Sequence, residues 1–284
     1  MNFQKVTDCY TLTNGVNIPC VGYGTFKMAN DTDTADAICA AINAGYRHID
    51  TAQTYGNEES VGAALKKSGI AREDIFITSK LGNNDHGYEA THSAFQNTLR
   101  ALDIEYLDLY LIHWPNPVAS RDNWVEANAG TWKAMEELYF DGKIRAIGVS
   151  NFFPRHLEPL FDTAKIMPMV NQISLSPGQT QPELCAYSRE RGMLLEAYSP
   201  LGQGSMLRLP DMLKLSEKYG KNTAQLCVRW SLQMGFLPLP KSSHPDRIAQ
   251  NMDVFDFEIA EEDMMLISGI QRESTVRDPD KITF

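Results

Sequence analysis

Short apolar segments alternate with longer amphipathic segments along almost the whole chain. The short segments are rich in strand-forming residues and are bounded by turn-forming ones, so they predict β-strands. Eight of them lie at residues 21–25, 47–50, 75–79, 107–112, 144–150, 168–175, 193–199 and 236–240. The longer segments carry apolar residues at helical spacing and predict α-helices. These lie at residues 33–43, 58–67, 88–102, 127–140, 154–164, 182–191, 211–219 and 223–234, with extra helices at 245–251 and 261–269.

The alternation predicts an α/β fold with a parallel sheet, because each helix carries the chain back to start the next strand. Eight such units favour one (β/α)8 TIM barrel that spans residues 1–284 as a single domain. Residues 7–18 predict a β-hairpin that turns at Asn14 and Gly15 and covers one end of the barrel. No GxGxxG motif follows an early strand, which argues against a doubly wound dinucleotide-binding domain.

Composition and charge exclude several classes of partner. The 284 residues carry a formal net charge of -10, which argues against nucleic acid or an anionic membrane as a partner. The amino-terminal segment lacks the apolar core of a signal peptide, and no apolar run is long enough to span a bilayer. The five cysteines are scattered without a CxxC pair, so we expect a cytoplasmic protein with reduced thiols and no metal site.

Four acid–base side chains lie at or just beyond the ends of three neighbouring predicted strands: Asp50, Tyr55, Lys80 and His113. Taken singly, each has an ordinary structural explanation, such as a helix cap, a half-buried ring, a solvated ammonium or a core histidine. The carboxyl ends of barrel strands form the working face of this kind of enzyme, so their coincidence there predicts a catalytic site.

The chemistry of the four residues suits proton donation to an oxygen atom. A tyrosine phenol has a reference pKa of about 10, and the neighbouring Lys80 ammonium is expected to lower it. Asp50 is expected to hold Lys80 in place, and His113 to orient a substrate oxygen. The group contains no nucleophile paired with a base, so it fits protonation of a carbonyl oxygen while a reductant delivers hydride to carbon.

Six segments together resemble the aldo-keto reductases over almost the whole chain. They read GYRHIDTAQTYGNEESVG, ITSKL, LDLYLIHWP, GKIRAIGVSNF, AYSPLGQG and LPLPKSSHPDRIAQN. Within that family the chain resembles bacterial members similar to 2,5-diketo-D-gluconate reductase. The resemblance implies a barrel that binds NADPH without a Rossmann domain, with Tyr55 as the general acid.

The resemblance also implies a cofactor site spread over several strand ends. It assigns the nicotinamide carboxamide to Ser150, Asn151 and Gln172, and the nicotinamide ring to Tyr198. It assigns the pyrophosphate to Ser199 and Leu201. It assigns the adenosine phosphate to Lys241 and Ser242, and an adenine contact to Asn251. The Arg247 guanidinium either meets the 2′-phosphate or stacks on adenine.

The substrate pocket is expected to include Tyr23 and Trp114. Trp124 either supplies an aromatic wall of the pocket or serves as a packing anchor. Many relatives have a tryptophan after the KL of ITSKL, whereas this chain has Gly82, so the pocket is expected to be more open.

The leading hypothesis is therefore NADPH-dependent reduction of aldehydes or ketones to alcohols, by a monomer or weak homodimer acting on a small carbonyl substrate. One alternative is a non-catalytic NADPH-binding regulatory protein on the same barrel. A second is a phosphate-binding isomerase, which would turn over without a nicotinamide cofactor.

Overall fold

The structure, a computed structural model, describes residues 3–284. Its amino-terminal hairpin consists of the antiparallel strands β1 (Cys9–Thr11) and β2 (Asn17–Pro19). Eight parallel strands follow: β3 (Tyr23–Gly24), β4 (His48–Asp50), β5 (Phe76–Leu81), β6 (Leu107–Ile112), β7 (Ile144–Ser150), β8 (Val170–Ser174), β9 (Leu194–Tyr198) and β10 (Leu237–Leu239). Each strand pairs with its neighbour in chain order, which confirms the predicted barrel.

The helices lie outside the strands, as an alternating βα pattern requires. They are α1 (Thr32–Asn43), α2 (Glu58–Ser68), α3 (Tyr88–Leu102), α4 (Trp124–Phe140), α5 (Pro154–Phe161), α6 (Pro182–Glu190), α7 (Pro210–Tyr219), α8 (Thr223–Gln233), α9 (Pro245–Met252) and α10 (Glu261–Ser268). Helix α1 starts where Asp31 caps it by accepting the Thr34 N–H at 2.8 Å. None of the helices within residues 3–284 combines the length and apolar character that a bilayer span needs.

Several boundaries differ from the predictions by a few residues, as α5 and β8 do, and two differences have a local reason. Helix α4 begins at Trp124 rather than at residue 127, because the 3₁₀ helix Val118–Asn123 runs directly into it. The segment after β9, where no helix was predicted before residue 211, contains the 3₁₀ helix Gly202–Arg208. Both differences lie in loops at the carboxyl ends of the strands, where short helical turns carry no long apolar periodicity.

The barrel closes where β3 meets β10, a contact that we call the seam (residues 22–24 and 238–240). The Gly22 N–H donates to the Pro238 carbonyl at 3.0 Å, and the Gly24 N–H donates to the Pro240 carbonyl at 3.1 Å. A Cβ atom on Gly22 would lie 2.5 Å from a methyl carbon of Leu239. Any side chain at position 22 would therefore force the buried Leu239 or His48 side chain to shift, which glycine avoids.

The hairpin and the working face lie at opposite ends of the barrel. The Tyr10 hydroxyl in β1 donates to the carbonyl of Phe236 at 3.0 Å, just before β10 begins. The hairpin thus covers the amino ends of the strands and leaves their carboxyl ends open for side chains with chemical roles.

Candidate active site

The carboxyl ends of adjacent strands bring the four predicted acid–base residues together. Asp50 is the last residue of β4, and Lys80 lies in β5, the next strand around the barrel. Tyr55 ends the 3₁₀ helix Gln53–Tyr55 that follows β4, and His113 comes directly after β6. Residues distant in sequence therefore share one rim because parallel strands all end there.

Lys80 is an ammonium enclosed by the barrel. Its side chain is 0% exposed, and its Nζ donates to both carboxylate oxygens of Asp50 at 2.8 Å and to the carbonyl of Thr51 at 2.7 Å. Three acceptors thus match its three N–H donors. Burial alone would lower the pKa of Lys80, but the charges of Asp50 and Tyr55 raise it above the usual value. Lys80 therefore remains charged.

Tyr55 lies directly beside this cation. The Lys80 Nζ is 5.0 Å from the centroid of the Tyr55 ring, which packs 5.7 Å from the His113 ring and 5.1 Å from Phe26. Burial raises the pKa of Tyr55 above its usual value, and the Lys80 charge opposes this rise without outweighing it. The expected net lowering of the Tyr55 pKa is therefore wrong, because desolvation of a phenolate is the larger effect here. The phenol keeps its proton at neutral pH.

His113 is neutral in this setting. Burial, followed by the charges of Lys80 and His86, lowers the pKa of His113 well below its usual value. The Asn151 side chain donates to the His113 carbonyl at 3.0 Å and fixes the backbone there. A neutral imidazole has one N–H donor, so His113 is suited to orient an oxygen atom by a hydrogen bond.

A chain of polar side chains runs beside the acid–base residues. Ser150 donates to the Gln172 backbone carbonyl at 2.8 Å, Asn151 donates to the Ser150 hydroxyl at 3.1 Å, and Tyr198 donates to Asn151 at 2.8 Å. Asn151 and Ser199 adopt positive φ angles of 62° and 53°, a region uncommon for residues other than glycine. The chain offers amide and hydroxyl groups that match a carboxamide, next to the flat ring of Tyr198.

Two cations lie at the far side of the rim, beyond β10. Lys241 and Ser242 follow the seam directly, and Arg247 and Asn251 lie on α9. Lys241 and Arg247 are exposed, and neither has an ion-pair or hydrogen-bond partner within residues 3–284. A cavity of about 500 Å³ opens beside Lys241. Unpaired cations at the start of a helix suit a phosphate group.

A larger cavity, of about 540 Å³, lies next to the turn that carries Tyr55. Its lining comes from residues 53–54, 82–85, 118–119 and 283–284. A Cβ atom on Gly82 would lie 2.7 Å from a carboxylate oxygen of Asp85 and 3.0 Å from the side-chain oxygen of Gln53. The glycine therefore leaves room for two hydrogen-bond acceptors in the cavity wall.

The predicted pocket residues lie in three different settings. Tyr23 does not face the cavity: it is 1% exposed, and its hydroxyl donates to the Ser242 carbonyl behind the seam. Side chains alternate along a strand, so Tyr23 points away from the face that Gly22 and Gly24 occupy. Trp114 reaches the wall only through Phe284, with ring centroids 5.6 Å apart. Trp124 is half-buried and packs on the His156 ring, with ring centroids 5.4 Å apart.

One buried carboxyl group at the site was not predicted. Glu196 lies in β9, is 0% exposed, and accepts a hydrogen bond of 2.7 Å from the Gln172 side-chain NH2. That same NH2 donates to Asp50 at 2.8 Å. A lone charged residue inside the apolar segment MLLEAYS was the only sequence signal for it.

Comparison with known proteins points to one family. The model of the aldo/keto reductase family matches residues 20–272. A glyoxal reductase from Bacillus subtilis (strain 168) is 48% identical over 281 residues, covering 99% of both chains. A crystal structure of an aldo/keto reductase from Brucella melitensis has a TM-score of 0.87 at 43% identity and covers 94% of this chain and 98% of the other. A variant of Gox0644 crystallised with NADPH has a TM-score of 0.90 at 37% identity and covers 98% of this chain and 99% of its own.

Proposed function

The chain belongs to the aldo-keto reductase family, and from that premise we propose that it reduces aldehydes or ketones to alcohols with Tyr55 as the general acid. It is an NADP-dependent oxidoreductase. The observation that carries the proposal is the contact of the Lys80 ammonium with both Asp50 and the Tyr55 ring. A binding module has no need for a buried cation next to a protonated phenol.

The residues present fit NADPH at both ends of the molecule. Ser150, Asn151 and Gln172 would hold the carboxamide, and the Tyr198 ring would support the nicotinamide. Lys241 and Arg247 supply positive charge that no carboxylate in the described chain neutralises. The remaining proposed contacts, with the pyrophosphate and the adenosine end, are Ser199, Leu201, Ser242 and Asn251. When bound, NADPH supplies the hydride for carbonyl carbon.

The side chains of the site would then supply the proton to the carbonyl oxygen. Tyr55 donates its hydroxyl proton to the carbonyl oxygen as negative charge develops there. The Lys80 charge favours the phenolate that remains, and Asp50 keeps Lys80 in position. His113 donates a hydrogen bond to the same oxygen, and preorganised donors of this kind contribute much of the rate enhancement in enzymes.

Loss of NADPH absorbance with a panel of small aldehydes and ketones tests the proposal. Glyoxal is the first substrate to include, because a relative carries the name glyoxal reductase. NADPH binding without turnover on any carbonyl compound would instead support the non-catalytic alternative. Turnover of a sugar phosphate without a nicotinamide cofactor would support the isomerase.

Arg247→Ala is expected to weaken NADPH binding by about tenfold to a hundredfold and to leave NADH binding nearly unchanged. The reason is that a hydrogen bond to a charged group contributes roughly 1.5–3 kcal/mol, and NADH lacks the 2′-phosphate. Fluorescence titration with each cofactor measures the effect, and Arg100→Ala on α3 controls for loss of a surface cation. Equal losses for both cofactors would assign Arg247 to adenine stacking.

Asp85→Asn is expected to improve turnover of anionic carbonyl substrates. The Asp85 carboxylate lines the cavity without an ion-pair partner in the described residues. In a hydrated site, the Asp85 carboxylate repels a carboxylate on the substrate by about 1 kcal/mol. That energy corresponds to a change of roughly fivefold in kcat/KM. Steady-state kinetics with para-carboxybenzaldehyde measure this, and para-nitrobenzaldehyde is the neutral control.

A cation near the same cavity provides the result that would contradict that prediction. Arg277 lies over the Phe284 ring at 5.5 Å, at the edge of the same cavity. If Arg277 dominates the local potential, Asp85→Asn will leave the ratio of the two substrates unchanged. Arg277→Gln will then lower turnover of the carboxylate alone.

A further inference from the structure

The side-chain amide of Gln172 lies between two carboxyl groups from different strands. Its NH2 group donates to Asp50 of β4 at 2.8 Å and to Glu196 of β9 at 2.7 Å. Glu196 and Gln172 are adjacent in the β8–β9 pairing, so the contact follows from strand register. An amide has two N–H donors, and both are used here.

This arrangement permits only one orientation of the amide. If the Gln172 side chain turned over, its carbonyl oxygen would face the Asp50 carboxylate in a dry interior, and the hydrogen bond to Asp50 would be lost. In the observed orientation the Gln172 side-chain oxygen accepts no hydrogen bond from any described residue. It therefore remains available to accept a hydrogen bond from a ligand.

Glu196 has the properties of a neutral acceptor. Burial, and then the charge of Asp50, raise the pKa of Glu196 to about 8. The charged groups that act on it are Asp50 of β4 and Lys80 of β5, while the adjoining strand β10 presents only Leu237, Pro238 and Leu239. One oxygen, Oε1, is buried without a partner among residues 3–284, which disfavours the anion.

We propose that Glu196 is a positioning residue that, with Asp50, fixes the Gln172 amide so that its carbonyl oxygen faces a ligand amide. This inference rests on the proposed function, in which that ligand amide is the nicotinamide carboxamide of NADPH. Asp50 alone could hold one N–H of Gln172, but it leaves the second free. Glu196 accepts from the second, so both carboxyl groups together hold the amide in the observed orientation.

Direct binding measurements on two variants test the proposal. Glu196→Leu keeps most of the volume and removes the acceptor, whereas Glu196→Gln keeps an acceptor oxygen without the charge. We expect Glu196→Leu to weaken NADP and NADPH binding about fivefold to tenfold, the loss of one hydrogen bond. Glu196→Gln should restore most of that affinity. An adenosine bisphosphate that carries the 2′-phosphate, but no nicotinamide, should bind all three proteins alike.

Several outcomes would overturn the proposal. Wild-type NADPH affinity in Glu196→Leu would show that the carboxyl group does not orient Gln172. Equal losses for NADPH and the adenosine bisphosphate would show that Glu196 only supports the fold. Equal impairment of Glu196→Gln and Glu196→Leu would show that charge, and not acceptor geometry, matters. Failure of the wild type to bind NADPH would instead overturn the proposed function.

A double-mutant cycle and a matched control complete the design. In a Gln172→Met background, Glu196→Leu should cause no further loss of NADPH affinity, since the amide it positions is absent. Additive losses would contradict the proposal. Glu136 is also buried, and it accepts from the backbone N–H groups of Lys165 and Ile166. Glu136→Leu should lower the melting temperature without changing the ratio of the two ligand affinities.

Discussion

Tyr55→Phe is expected to lower kcat by about a thousandfold, within the range of 10²–10⁴ typical of general acid catalysis. NADPH affinity should stay within about twofold of wild type, since the lost group contributes chiefly in the transition state. The substitution removes only the hydroxyl. The ring remains between Phe26 and His113, at the centroid distances of 5.1 Å and 5.7 Å seen here. Single-turnover and steady-state kinetics with NADPH would measure the change.

The Tyr55→Phe variant also separates chemistry from folding. Because the ring contacts are retained, its melting temperature should match that of wild type. A retained kcat above about a tenth of wild type would show that another group or water protonates the oxygen. His113 is the nearest other candidate, but burial holds its pKa well below the usual value. At neutral pH it is therefore a neutral imidazole and lacks the second, acidic proton of an imidazolium.

Lys80→Met is expected to destabilise the fold by about 3–5 kcal/mol and to abolish turnover. Removing one partner of a buried ion pair leaves the other charge uncompensated, which carries a penalty of this size. Asp50 is 4% exposed, and without Lys80 its only remaining side-chain donor among residues 3–284 is Gln172. Urea unfolding would measure the free energy of unfolding, and NADPH oxidation would measure activity.

The paired variant Asp50→Asn with Lys80→Met gives a sharp control. Stability should recover in large part, since the stranded carboxylate is gone, whereas activity should not recover because Tyr55 lacks its cation. Lys67→Met at the exposed Lys67–Asp36 pair should leave the unfolding midpoint unchanged. Wild-type stability in Lys80→Met would contradict the assignment of a buried ion pair.

Sequence was sufficient for the fold and for the position of the acid–base group. Eight apolar segments separated by helical spacing specify a closed parallel sheet, and parallel strands end at a common rim. Asp50, Lys80 and His113 could therefore be placed together from their strand ends alone. Tyr55 follows because its turn comes directly after β4.

The surroundings of each side chain, and so its pKa and direction, could not be predicted from the sequence. The pKa of Tyr55 depends on the balance between burial and the Lys80 charge, and that balance requires coordinates. Tyr23 was misplaced because strand alternation decides its direction, and a two-residue strand gives too short a pattern to show it. Glu196 gains its role only through Gln172 on the neighbouring strand, a contact set by pairing register.

Closure of the barrel at the seam has a consequence for synthesis of the protein. The Gly24 N–H donates to the carbonyl of Pro240, more than two hundred residues later in the chain. While the nascent chain emerges from the ribosome, β3 therefore keeps an open edge until nearly the whole chain has been translated. Contacts this distant in sequence slow folding. The brevity of β3, two residues, limits what a neighbouring chain on the polysome could pair with during that interval.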